Sequence, residues 1–161
     1  MGPASTIDIA VTIHHGDWGD CAPAVEAAAR LALAGESGPV AVDITLTDDP
    51  EQQRLNRTWR GKDAPTNVLA FPGDGPVPPG APQTGAPRIL GDVVLALSTI
   101  RREAAEQDKP FADHLRHLVV HGVLHLLGHD HDEPAAAAAM ERREIALLAE
   151  LGVPDPYRDT I

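Results

Sequence analysis

The run His121-Gly122-Val123-Leu124-His125-Leu126-Leu127-Gly128-His129-Asp130-His131 constrains this chain more than any other segment. His121 and His125 are four apart, so on a helix they stand one turn apart on one face and can share an ion. Gly128 follows His125 by three residues, where a helix needs a residue that tolerates a left-handed conformation in order to end. The turn it permits would fold the chain back and carry His131 toward the other two. Three imidazoles leave a fourth tetrahedral position for water, the arrangement of a catalytic rather than a structural zinc. A zinc ion so held can lower the pKa of its water to about 7 and polarise a phosphoryl or carbonyl oxygen. Histidines on a solvated helix face are the competing reading. The i,i+4 pair alone leaves that reading standing; the glycine turn and the third histidine weigh against it.

The spacing H-x-x-x-H-x-x-G-x-x-H is shared with the metzincin proteases, which carry Glu directly after the first histidine as general base. Here that position is Gly122, so the metal cage survives the comparison and the protease does not. His114 falls on the same helical stripe as His121 and His125, with His117 beside them. His117 reads either as a second-layer partner of the site or as a satisfied core histidine. His129 is an alternative ligand to His131, although the spacing favours His131. His14-His15 reads as an exposed loop end.

The remainder of the chain bounds the fold. Its 161 residues suffice for one domain with a real core. Cys21 is the single cysteine, which excludes an internal disulfide and a multi-thiolate zinc site. Thirteen Lys and Arg against 24 Asp and Glu give a net charge of −11, so a phosphate site must be a local positive spot in a negative field. No apolar run is long enough for a membrane span and no signal peptide is expected; Gly2 with Thr6 fits a myristoylation pattern short enough to match by chance. A soluble, cytoplasmic protein is expected.

Alternation predicts strands over 7–13 and 40–46, with further strands at 67–71 and 89–96. Asp20 and Pro23 predict the start of an alanine-rich helix closed by Gly35; Asp48 or Asp49 with Pro50 predicts another helix through about Trp59. Three more helices are expected over 98–107, 111–127 and 132–151. Residues 72–88 hold six prolines and four glycines and read as a mobile loop within a single domain spanning 1–161. The expected class is α+β: a small mixed sheet of about four strands covered by helices, with a metal cleft on a C-terminal helix and the turn after it.

Together with Thr66-Asn67-Val68-Leu69-Ala70-Phe71-Pro72 and Leu90-Gly91-Asp92-Val93, the histidine run resembles the YbeY family of metal-dependent endoribonucleases, from about Val40 to about Leu151. The resemblance implies hydrolysis of single-stranded RNA, in maturation of the 3′ end of small-subunit rRNA and in ribosome quality control. RNA and the small ribosomal subunit are the implied partners. It makes His121, His125 and His131 the ligands of one ion, zinc or another divalent transition metal, and singles out Arg60 as the arginine near it. A guanidinium suits that place because it binds phosphate bidentately and offsets charge gained in phosphoryl transfer. Arg54, Arg57, Arg60 and Lys62 form the densest positive stretch of the chain. Two departures stand out: His129 occupies a position where Tyr is also common in the family, and the 72–88 loop is long. Asp130 reads as ordering the turn, and no general base is assigned. The competing readings are a ribosome-assembly factor with a mainly structural metal and a metallohydrolase of another substrate class.

Overall fold

The computed structural model describes residues 7–36, 39–73, 87–129 and 133–157. His131 and Asp130, the first six residues and most of the 72–88 loop lie outside the described residues. The element order is β1 (Ile7–Ile13), α1 (Ala22–Leu33), β2 (Val40–Thr47), α2 (Asp49–Arg60), β3 (Val68–Pro72), β4 (Arg88–Ala96), α3 (Leu97–Glu106), α4 (Phe111–Leu126) and α5 (Pro134–Glu150). The strands form one sheet in the order β1-β2-β4-β3, with β1, β2 and β4 parallel and β3 antiparallel at the edge. The expected four-stranded mixed sheet covered by helices is therefore present.

Alternation decides which face is buried. Val40, Val42, Ile44 and Leu46 of β2 share one face with Val93 and Leu95 of β4, and all six are buried under the helices. Helices α1 and α4 pack on this inner face and on each other, with α3 and α5 against α4. The opposite face carries Asp43, Thr45, Asp92 and Val94 and is approached by α2.

The register of β2 with β4 shifts at Leu90, which is skipped between the Ala41–Ile89 and Val42–Gly91 pairs, and Gly91 follows it directly. The φ of Gly91 is +135°, and a Cβ there would stand 2.1 Å from the carbonyl oxygen of Phe71. Only glycine permits strand β3 to approach β4 so closely. Boundaries elsewhere differ from expectation by small amounts with local causes. Asp20 does not open α1, which begins at Ala22 with Pro23 in its first turn and no side-chain cap. Asn67 stays outside β3 because its own Oδ1 accepts from the Val68 N–H at 2.7 Å.

Asp48 caps α2 as expected, and also joins two helices. One of its carboxylate oxygens accepts from the N–H groups of Asp49 (2.8 Å) and Ser98 (2.9 Å), tying the start of α2 to the start of α3. Burial pushes its carboxyl up, but the hydrogen bonds from Ser98 and Asp49 prevail and hold it below the ordinary value of 3.8. A depressed folded-state pKa stabilises the fold fully above the unfolded value and loses that contribution as pH falls. Asp48→Ala should therefore cost about 1–2 kcal/mol near neutrality, and much less once the pH has fallen well below 3.8. Urea denaturation of both proteins at neutral and acid pH measures this; an equal difference at both would show that the charged form is not what matters.

Candidate active site

Helix α4 supplies the histidines. Leu118, Val119, Val120, Val123 and Leu124 bury its core side, while His121 and His125 emerge partly exposed beside β3. Gly122 lets the helix come down on the sheet: a Cβ at that position would meet Val93 Cγ1 at 2.9 Å and Val68 Cγ2 at 3.2 Å. The carboxylate that a zinc protease carries after its first histidine thus has no room here.

The helix stops where the sequence placed the stop. Gly128 adopts φ +100°, its N–H donates to His125 O at 3.0 Å, and the His129 N–H donates to Leu124 O at 3.1 Å. With the Leu127 N–H, which reaches Val123 O and Leu124 O at 3.1 Å, these bonds satisfy the last carbonyls of the helix.

The rings of His121 and His125 lie 4.9 Å apart, centroid to centroid, and nearly perpendicular. They line a cleft of about 450 Å³ with Arg60, Lys62, Thr66 and Asn67. The far wall is positioned by α2, a polar helix whose buried residues are Gln52 and Asn56. Gln52 accepts from the Thr66 N–H at 2.7 Å and donates to Val94 O at 3.1 Å, while Asn56 donates to Ala64 O at 2.8 Å. These amides hold the 61–67 segment against the sheet and place Arg60 and Lys62 at the cleft. Arg60 donates from Nη2 to Ala70 O at 2.5 Å, and its guanidinium carbon stands 5.5 Å from the centre of the Phe71 ring. The other two cations of the stretch serve elsewhere: Arg57 pairs with Asp63 at 3.6 Å, and Arg54 is exposed on α2.

Behind His121 lies a carboxylate that the sequence reading did not single out. Glu144 of α5 is fully buried; its Oε1 is 2.6 Å from His121 Nδ1, and its Oε2 takes His117 Nε2 at 3.0 Å and the Tyr157 hydroxyl. Burial would raise its pKa, but hydrogen bonds from His117, His121 and Tyr157 outweigh it and lower the group to about 2. An ionised carboxylate only accepts, so all three partners donate to it. In the tautomer of His121 that donates from Nδ1, the lone pair lies on Nε2, the atom a metal would use. Burial first, and Glu144 after it, raise the Tyr157 phenol above its ordinary range.

The ligand-capable atoms of His117, His121 and Glu144 lie within 4.8 Å of one another, a group that could itself hold a metal ion. Both Glu144 oxygens and His121 Nδ1 are already committed to hydrogen bonds among themselves and Tyr157. The arrangement therefore fits a supporting layer behind His121 better than an ion between these three. His114, on the same helical stripe, is buried and bonded through Nε2 to Glu103 at 2.9 Å, which also accepts from Asn67. Burial keeps its pKa low against the pull of Glu103. It braces α4 against α3 and the start of β3. His14 closes on Glu51 at 2.9 Å at the exposed end of β1.

Comparison with known proteins agrees with this architecture. Residues 18–152 match the family described as endoribonuclease YbeY. The chain is 50% identical to the endoribonuclease YbeY of Paramagnetospirillum magneticum, over 94% of this chain and 96% of the relative. It is 46% identical to that of a Bradyrhizobium strain, over 98% and 96%. The solution structure of TM1509 from Thermotoga maritima shares the fold, with a TM-score of 0.59 at 22% identity, covering 96% of this chain and 98% of that one. The histidine pair, the glycine turn and the Thr66–Pro72 stretch lie within the matched residues, and the chain belongs to the YbeY family of endoribonucleases.

Proposed function

We propose that this protein is a zinc-dependent endoribonuclease acting on single-stranded RNA, with His121, His125 and His131 as the metal ligands and Arg60 as the catalytic arginine. The whole chain serves as one catalytic domain. The resemblance and the family support cytoplasmic work on the 3′ end of small-subunit rRNA and in ribosome quality control, with RNA and the small subunit as partners. One observation carries the reading: two imidazoles stand side by side in a cleft whose other wall is Arg60 and Lys62, in a chain that is otherwise strongly acidic. Among the described residues, no helix is long and apolar enough to cross a membrane.

The donor set fits a transition metal, because imidazole nitrogens suit zinc and a buried carboxylate orients one of them. Bound there, zinc would supply Lewis acidity toward a phosphoryl oxygen and acidify a water. The chain's own residues supply the rest. Arg60 is anchored by the Ala70 carbonyl and the Phe71 ring through a fraction of its five donors, which leaves donors for a phosphate. Lys62 adds a second positive charge on the same wall. Glu144 is a positioning residue rather than a base, since it is sealed from solvent and bonded to three donors.

The test is cleavage of single-stranded RNA by the purified, metal-analysed protein with and without a chelator. Cleavage should fall to background on metal removal and return with added zinc, and His121→Ala and His125→Ala should both abolish it. Cleavage indifferent to chelator and to both substitutions would overturn the reading. A wild-type protein with no turnover at any metal loading, and a His125→Ala variant with a much lower Tm, would point instead to a structural metal in an assembly factor.

A further inference from the structure

The sheet has a second concave surface on its α2 side. A cavity of about 700 Å³ lies there, walled by Leu55 and Trp59 of α2, Phe71 of β3, and Thr45 and Val94 of the central strands. Arg60 lines this cavity as well as the cleft that holds His121 and His125. Because β3 is the edge strand, one side chain reaching around it belongs to both faces. The two cavities therefore adjoin at the arginine proposed to hold the scissile phosphate.

Trp59 is 70% exposed, on a helix that docks through Gln52 and Asn56. With Ile13 and Ile89 it makes up the large apolar side chains exposed among the described residues, and it alone of these lines the cavity beside Arg60. The polar part of the lining selects the occupant. Glu51 and Asp92 contribute carboxylates, Glu51 being engaged at 2.9 Å by His14 of the same lining, and Asp43 stands opposite Asp92 in the strand register. Away from Arg60, on the Asp92 and Asp43 side, a phosphodiester backbone would be repelled. A nucleobase would not, since it is uncharged and flat, stacks on aromatic rings, and carries N–H groups that a carboxylate accepts.

We propose that this groove is a nucleobase subsite, in which an unpaired base adjoining the phosphate at Arg60 stacks on Trp59. The proposal rests on the RNA-cleaving reading above. The metal cleft handles the charged backbone, and the acidic, aromatic groove takes the base that the backbone carries round the edge of β3. A duplex keeps its bases stacked inside and cannot deliver one, so the subsite would also contribute to preference for single strands.

The experiment compares metal-loaded wild-type protein, Trp59→Ala and Trp59→Phe in binding and cleaving a short single-stranded RNA, alongside an abasic oligonucleotide with the same number of phosphates. Trp59→Ala should bind the base-bearing RNA roughly tenfold to a hundredfold more weakly, with KM raised to match. Trp59→Phe should recover most of that loss, and the abasic oligonucleotide should bind wild type and Trp59→Ala alike. Equal binding of the base-bearing RNA by wild type and Trp59→Ala would overturn the subsite, as would an equal loss for both oligonucleotides. Wild-type protein that cleaves RNA while Trp59→Ala matches it sinks the subsite alone. Wild-type protein that neither binds nor cleaves any RNA sinks the parent reading, and the subsite with it.

Discussion

Glu144→Gln is expected to fold and yet to bind zinc about 10–100-fold more weakly than the wild type, whereas Glu144→Ala is expected to lose about 3–5 kcal/mol of stability. The two substitutions separate two roles of one buried group. Gln keeps the volume and its oxygen can still accept from His121 Nδ1, while its amide NH2 can meet Tyr157 and His117 only if the hydroxyl turns to accept and His117 takes the tautomer with its lone pair on Nε2, so the shape is kept and the negative charge is removed. Without that charge His121 is a poorer ligand and less firmly held in the tautomer that presents Nε2. Ala leaves a cavity, and three polar groups that met Glu144 lose their acceptor in the interior. Zinc titration in competition with a chromophoric chelator reads the first effect, and thermal unfolding reads the second. RNA cleavage by Glu144→Gln should be weak at limiting zinc and restored at excess, since the ligands themselves remain. A Gln variant with wild-type zinc affinity would show that Glu144 only fills space.

Arg60→Ala should lower kcat for RNA cleavage by about a hundred- to a thousandfold, the usual effect of removing one donor aimed at developing oxyanion charge. Its Tm should barely move, because the side chain is exposed and its contacts are one carbonyl and one ring face. Arg60→Lys should recover only part of the rate. An ammonium keeps the charge but loses both the planar fork that can anchor on Ala70 while gripping a phosphate and the flat surface that stacks on Phe71. Steady-state kinetics on single-stranded RNA with matched zinc loading makes the comparison. An Ala variant within about threefold of wild type would remove Arg60 from the catalytic machinery.

Local rules made the ends of α4 and the faces of the strands readable in advance. Gly128 ends the helix because a left-handed residue is required there, and neighbouring backbone groups alone satisfy that requirement. Alternation along Val40–Leu46 names the inner face of β2 for a similarly local reason. Helix boundaries were less secure where the deciding group was not local: Asp20 has the right side chain for a cap, but the chain enters α1 two residues later, without one.

Glu144 shows why part of the site stayed hidden. Its position continues the apolar stripe of Met140, Leu147 and Leu148 on α5, and a carboxylate in a buried stripe is a sign of a partner. Nothing in the spacing says that the partners are His117 and His121 on another helix, 27 and 23 residues earlier. Likewise, Arg54, Arg57, Arg60 and Lys62 are equivalent as a run of charge. Only the packing of α2, through Gln52 and Asn56, sends Arg60 and Lys62 to the cleft and Arg57 to Asp63.

From its residue order this chain could already declare two histidines on one helical face, a glycine turn after them and the inward faces of the strands beneath, since each depends on contacts within a few residues. Which carboxylate braces His121, which cation reaches the cleft, and how Trp59 comes to stand beside the arginine at the sheet edge depend on contacts between distant segments. Such contacts exist only once burial of the sheet's inner face has brought α2, α4 and α5 to their places.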